Sequence, residues 1–128
     1  MVGYDGSPSA WEAFLEAARA ARQSDARILF VHVKQKGAKE AKLDKEDLKK
    51  AALEIAGDIS VEIIVTPGVP SKRILELAEE YRADYIYLGK HNYPVYKKVL
   101  VGETSCNLIQ NSLAPVILIE KENGKNKT

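Results

Sequence analysis

The chain has 128 residues, 45% hydrophobic and 29% charged, with 19 Lys and Arg against 18 Asp and Glu and a formal charge of +1. That size gives one domain with one substantial core, and the near-balance of charge argues against a nucleic-acid partner. The one cysteine, Cys106, excludes an internal disulfide and a four-cysteine metal site, while a chain start without basic or apolar signal regions and without a spanning apolar run predicts a cytoplasmic protein with no membrane partner.

Met1 to Tyr4 reads as a short apolar strand, stopped by the turn and helix-start residues Asp5-Gly6-Ser7-Pro8. From Ser9 to Arg22, Ala10, Phe14, Ala17, Ala18 and Ala21 recur at helical spacing. Trp11 on this helix is expected as a surface or partner contact. Ile28 to Val33 is a buried-strand run, and His32 inside it is expected to be a core histidine with a satisfied ring. Lys34 to Leu43 reads as a lysine-rich loop and Asp44 to Ala56 as a helix, the lysines alternating with acids as on a solvated face. Ile59 to Val65 is a third strand. Thr66 to Pro70 is a turn, after which Ser71 caps a helix with Ile74, Leu77, Ala78 and Tyr81 on its inner face. Tyr85 to Leu88 is a fourth strand and Glu103 to Leu113 a fourth helix, with Cys106, Ile109 and Leu113 toward the core. Pro115 to Glu120 is the fifth strand. Residues 1–121 form the expected domain and residues 122–128 a polar tail expected to be disordered.

Near-continuous apolar strands alternating with amphipathic helices predict an α/β fold, a doubly wound five-stranded parallel sheet with helices on both faces. Such sheets bind ligands outside the strand C-termini, where the strand order reverses. Tyr4 and Asp5, Val33, and Gly89 all fall at such ends. The richest stretch is Leu88-Gly89-Lys90-His91-Asn92, followed across a loop by Val101-Gly102-Glu103-Thr104-Ser105. Glycine lets a backbone approach a ligand closely, and a helix N-terminus favours an anion, which together suit a nucleotide phosphate. Glu103 competes for the same positive helix end, while Lys90, His91, Lys97 and Lys98 supply positive charge. The two histidines have no carboxylate or cysteine at metal-ligand spacing, so no metal site is expected.

Several motifs resemble those of the universal stress protein domain. They are Val2-Gly3-Tyr4-Asp5-Gly6-Ser7, the Val31-His32-Val33 strand end, Gly68-Val69-Pro70-Ser71, the spacing Gly89-x2-Asn92-x9-Gly102, and Ala114-Pro115 before the last strand. The resemblance covers nearly the whole chain and implies the adenine nucleotide alpha-hydrolase-like fold with strand order 3-2-1-4-5. ATP-binding members carry Gly-x2-Gly-x9-Gly followed by Ser or Thr, so this chain departs at Asn92 and at Glu103. Carried over by position, the resemblance implies ATP or another adenine nucleotide as ligand. Tyr4 and Asp5 would then lie near the adenosine, the Val33 backbone at adenine, and Gly89, His91, Asn92, Gly102, Glu103, Thr104 and Ser105 around ribose and phosphates. Asn tolerates a left-handed backbone better than most residues, so Asn92 can keep the loop shape.

The leading functional reading is an adenine-nucleotide-binding regulatory module of stress or signalling responses. The alternative is a family member that does not bind ATP and acts as a protein-interaction scaffold. A weak ATPase is a third reading, with no catalytic residue placed by motif beside the phosphates. A homodimer through Pro115 to Glu120 is also expected. Val116 to Ile119 carries no charge, which predicts burial on both faces, and an apolar edge strand invites pairing with a second chain. The resemblance implies pairing of this strand across a two-fold axis, the commonest oligomer symmetry.

Overall fold

A computed structural model describes residues 1–35, 45–90 and 103–120. Strands and helices alternate through them as β1 (Val2–Gly3), α1 (Pro8–Ser24), β2 (Ile28–Lys34), α2 (Lys45–Ala56), β3 (Val61–Pro67), α3 (Pro70–Glu80), β4 (Ile86–Gly89), α4 (Glu103–Asn111) and β5 (Val116–Ile119). The sheet is parallel throughout, in the order β3-β2-β1-β4-β5. This is the expected doubly wound topology, with β1 at its centre.

The composition of β2 explains how the two layers form. Ile28 and Phe30 face α1 and α2 and pack with Val2, Phe14, Leu48 and Ala52. The alternate residues Leu29, Val31 and Val33 face α3 and α4 and pack with Ile74, Leu77, Leu88 and Leu108. A strand with helices on both sides has no face for polar residues, hence the unbroken apolar run. His32 is the exception, 1% exposed on the α1 side.

Helix starts follow local chemistry. Ser7 is the N-cap of α1, its Oγ accepting the Ala10 N–H at 3.1 Å, with Pro8 in the first turn. In α3 the expected cap, Ser71, is displaced. Pro70 takes the first helical position because its ring presets the helical φ, and Val69 before it is the N-cap without a side-chain hydrogen bond. Ser71 is buried inside the first turn.

Helix α4 departs most from expectation. It presents Ser105 and Leu108 to the interior, while Cys106 is exposed, Ile109 is 52% exposed and Leu113 fully so. Asn111 closes the helix by donating to the Asn107 carbonyl at 2.8 Å, leaving Leu113 beyond its end. Strand β5 is half-buried at all positions from Val116 to Ile119 rather than covered on both faces. Trp11 is half-buried against Tyr4 and Phe14 rather than a simple surface residue.

Candidate functional site

The chain runs outward from β1 through β2 to β3, then returns to β4 on the other flank of β1. The reversal opens a crevice at the C-terminal ends of β1 and β4, the place where parallel sheets of this kind bind ligands. The strands there deliver Tyr4 and Asp5, Val33 and Lys34, Thr66, and Gly89 and Lys90 to one edge.

Tyr4 follows directly on β1. Its N–H donates to the Val31 carbonyl at 2.8 Å. Its own carbonyl lies 2.8 Å from His32 Nδ1, and since a carbonyl can only accept, Nδ1 donates. The buried histidine therefore anchors the end of β1, as expected of a core histidine. Burial, and then the neighbouring Asp5 carboxylate, push the Tyr4 phenol above the ordinary tyrosine range. Asp5 is exposed, and its Oδ1 accepts the Ser7 N–H at 2.9 Å in an Asx turn that leads into α1.

Val33 offers its backbone rather than its side chain, which is 5% exposed in the α3/α4 layer. In β2 the odd residues direct their backbone groups to β1, as Val31 does to Tyr4, and the even ones to β3, as the Lys34 carbonyl does to Gly68. The Val33 N–H and carbonyl therefore point past the last paired residue of β1, into the crevice.

Gly89 has a packing reason to be a glycine. A Cβ there would lie 2.3 Å from the Ala10 nitrogen and 2.5 Å from the Ser9 carbonyl carbon. The end of β4 thus rests against the first turn of α1, fixing the floor of the crevice. Beyond it, the Lys90 N–H donates to the Ile119 carbonyl at 2.7 Å, and Lys90 Nζ stands 4.0 Å from Glu120. On the α3/α4 face, α4 begins at Glu103, with Thr104 half-buried and Ser105 buried in its first turn. His91, Asn92 and Gly102 lie outside the described residues.

A feature not read from the sequence stands at the β3 end of the same edge. Thr66 is the register partner of Val33, and Arg73 Nη2 donates to Thr66 Oγ1 at 3.2 Å. Arg73 Nη1 pairs with Glu76 at 3.3 Å. The aliphatic part of Arg73 lies over Gly68, where a Cβ would meet Arg73 Cγ at 2.8 Å and where φ is +135°. Gly68 in a turn was the available signal, but a turn glycine does not say which side chain crosses it.

A cleft of about 540 Å³ at the opposite end of the sheet is lined by Ala21, Ile28 and Tyr85 among others, none of them in the first turn of a helix. Among the described residues no three His, Cys, Asp or Glu side chains gather to hold a metal, and no helix is long and apolar enough to cross a membrane.

The chain belongs to the universal stress protein family, whose family model matches residues 1–120. It is 34% identical over 91 residues to a universal stress protein of Methanocaldococcus jannaschii, a match spanning 71% of this chain and 55% of that relative. A second one from the same organism is 30% identical over 94% of this chain and 81% of its own length. Among solved structures, a universal stress protein from Archaeoglobus fulgidus superposes with TM-score 0.77 and 26% identity over 94% of this chain and 43% of that one. A universal stress protein solved in complex with cAMP gives TM-score 0.75 and 24% identity, covering 94% of each chain. Another from A. fulgidus, solved with dAMP, gives 0.64 and 23% over 91% of this chain and 93% of that one.

Proposed function

We propose that this protein binds an adenine nucleotide in the crevice between β1 and β4 and serves as a nucleotide-responsive regulatory module. The observation that carries the reading is the Val33 backbone directed past the end of β1, with Asp5 beside it and the start of α4 on the same face. Phosphate belongs at the α4 N-terminus, where unpaired N–H groups and the helix dipole favour an anion. Ribose then falls at Asp5, whose carboxylate can accept from a hydroxyl, and adenine at Val33, whose N–H and carbonyl match one acceptor and one donor of the base edge. β2 is two strand spacings from β4, about 10 Å, comparable to the reach of a mononucleotide. The complexes of related proteins with cAMP and dAMP support a mononucleotide. Glu103 at the α4 start weighs against additional phosphates, so AMP is the favoured ligand over ATP.

Calorimetric titration with AMP, cAMP, ADP and ATP tests this, with Asp5→Ala as the control. Saturable AMP binding that weakens at least tenfold in the variant is expected; no binding of any of the four at millimolar concentration refutes the reading.

That outcome would favour a scaffold acting through protein contacts, supported by the exposed Ile109 and Leu113 and the half-buried β5 edge. We also propose that β5 pairs with a second copy, since an edge strand of four apolar residues leaves backbone groups unpaired.

A further inference from the structure

We infer that Arg73 contacts the base of the bound nucleotide and sets the ligand preference of the crevice, an inference that rests on the adenine-nucleotide reading above. An arginine at the first turn of α3 needs no special account if its head group is in water. This one is 30% exposed, but both its terminal nitrogens are engaged, Nη2 by Thr66 Oγ1 at 3.2 Å and Nη1 by Glu76 at 3.3 Å, and its stem lies on Gly68. The conformation over Gly68 is available because that residue has no Cβ and adopts φ +135°. Gly68 is itself tied to β2 by its N–H on the Lys34 carbonyl at 3.0 Å. Three attachments fix a long side chain that would otherwise lose its rotamer freedom only on binding.

The place where it is fixed matters more than the fixing. Thr66 and Val33 are register partners on neighbouring strands and face the same α3/α4 layer. The guanidinium is therefore one strand spacing, about 5 Å, and one hydrogen bond away from the Val33 backbone. With phosphate at α4, on the far flank of β1, Arg73 is at the end of the ligand remote from phosphate. A planar guanidinium with donors left over after Thr66 and Glu76 can stack on a purine or donate to its ring nitrogens. A lysine would offer neither the plane nor the fork.

A purely architectural role, tying α3 to β3, is the competing account, and the two separate experimentally. Arg73→Met keeps the stem over Gly68 and removes the donors and the charge. Affinities of wild type and variant are measured for AMP and, by competition with AMP, for ribose 5-phosphate, which lacks the base. Thermal unfolding of both proteins runs alongside. We expect AMP affinity to fall about tenfold, the scale of one charged hydrogen bond, and ribose 5-phosphate affinity to stay within twofold. Equal loss for both ligands would mean that Arg73 acts on phosphate or on the fold, and would overturn the inference. Unchanged AMP affinity with a lowered melting temperature would overturn it in favour of the architectural account. Wild type that binds no AMP removes the adenine-nucleotide reading and this inference together, whereas wild type that binds AMP as tightly as Arg73→Met does removes this inference alone. Thr66→Val, which frees one guanidinium nitrogen, is expected to give a smaller loss of AMP affinity in the same direction.

Discussion

Replacing Gly89 by alanine tests whether the crevice floor is set by contact between β4 and α1. The added methyl carbon would stand 2.3 Å from the Ala10 nitrogen, 2.5 Å from the Ser9 carbonyl carbon and 2.6 Å from Ser9 Oγ. Two of these atoms are backbone in the first turn of a helix whose buried face includes Ala10, Ala13, Phe14 and Ala17, so the turn cannot yield alone. Overpacking a core costs about 1–3 kcal/mol where side chains can adjust; against backbone the upper end applies, about 3 kcal/mol. For a domain of this length that lowers the melting temperature by about 10 °C. Gly3→Ala is the internal control. Its Cβ would meet Leu88 Cδ2 at 2.7 Å and Ile74 Cδ1 at 3.0 Å, both far ends of flexible side chains, so about 1 kcal/mol is expected. Urea unfolding with a common m-value reads both. A Gly89→Ala protein within about 0.5 kcal/mol of wild type, or a larger loss in Gly3→Ala than in Gly89→Ala, refutes the reasoning.

Glu103→Ser removes a negative charge from the start of α4 and is expected to tighten ATP binding about tenfold at low salt, read by calorimetry; unchanged affinity means that the carboxylate does not meet the phosphates. Leu118→Pro removes a backbone donor from β5, and a dimer seen for wild type by sedimentation is expected to weaken in it; a dimer unaffected in a folded variant places the interface elsewhere. The Tyr81 hydroxyl donates to Glu62 Oε2 at 3.2 Å, and the Glu62 charge, with a smaller contribution from burial, holds the phenol above its ordinary value of 10.0. The raised folded pKa favours the protonated phenol, so the contact contributes fully below pH 10.0 and is lost as pH rises through the folded value. An absorbance titration of Glu62→Gln should show one tyrosine ionising at lower pH than in wild type, and coincident titrations would exclude the interaction.

The topology was legible because β2 carries apolar residues on both faces, as a parallel strand covered by helices on both sides does. Asp5 and Val33 could be placed at strand ends for the same reason, since a strand end is where the apolar run stops. The buried face of α4 is not legible from spacing, because Cys106, Ile109 and Leu113 fit helical spacing as well as Ser105 and Leu108 do. A stripe in sequence does not say which side the sheet is on, and here the shorter stripe with a serine faces inward. Ser71 has the residue type of a cap, but the proline before it takes the first helical position and moves the cap to Val69. Arg73 could not be found, because its significance depends on a contact with Thr66 seven residues earlier, across a turn.

The ring contacts of α1 carry a practical consequence. Tyr4, Trp11, Phe14 and Phe30 form a closed circuit, with centroid separations of 6.1 Å for Tyr4 to Trp11, 5.2 Å for Trp11 to Phe14, 5.1 Å for Phe14 to Phe30 and 4.9 Å for Tyr4 to Phe30. Trp11 is the one tryptophan of the chain, and Tyr4, which it touches edge-on, directly precedes Asp5 at the crevice. The protein thus carries an intrinsic fluorophore in contact with the edge proposed to bind the nucleotide. Occupancy there should register in the emission of a single indole, without a label and without ambiguity about which residue is reporting.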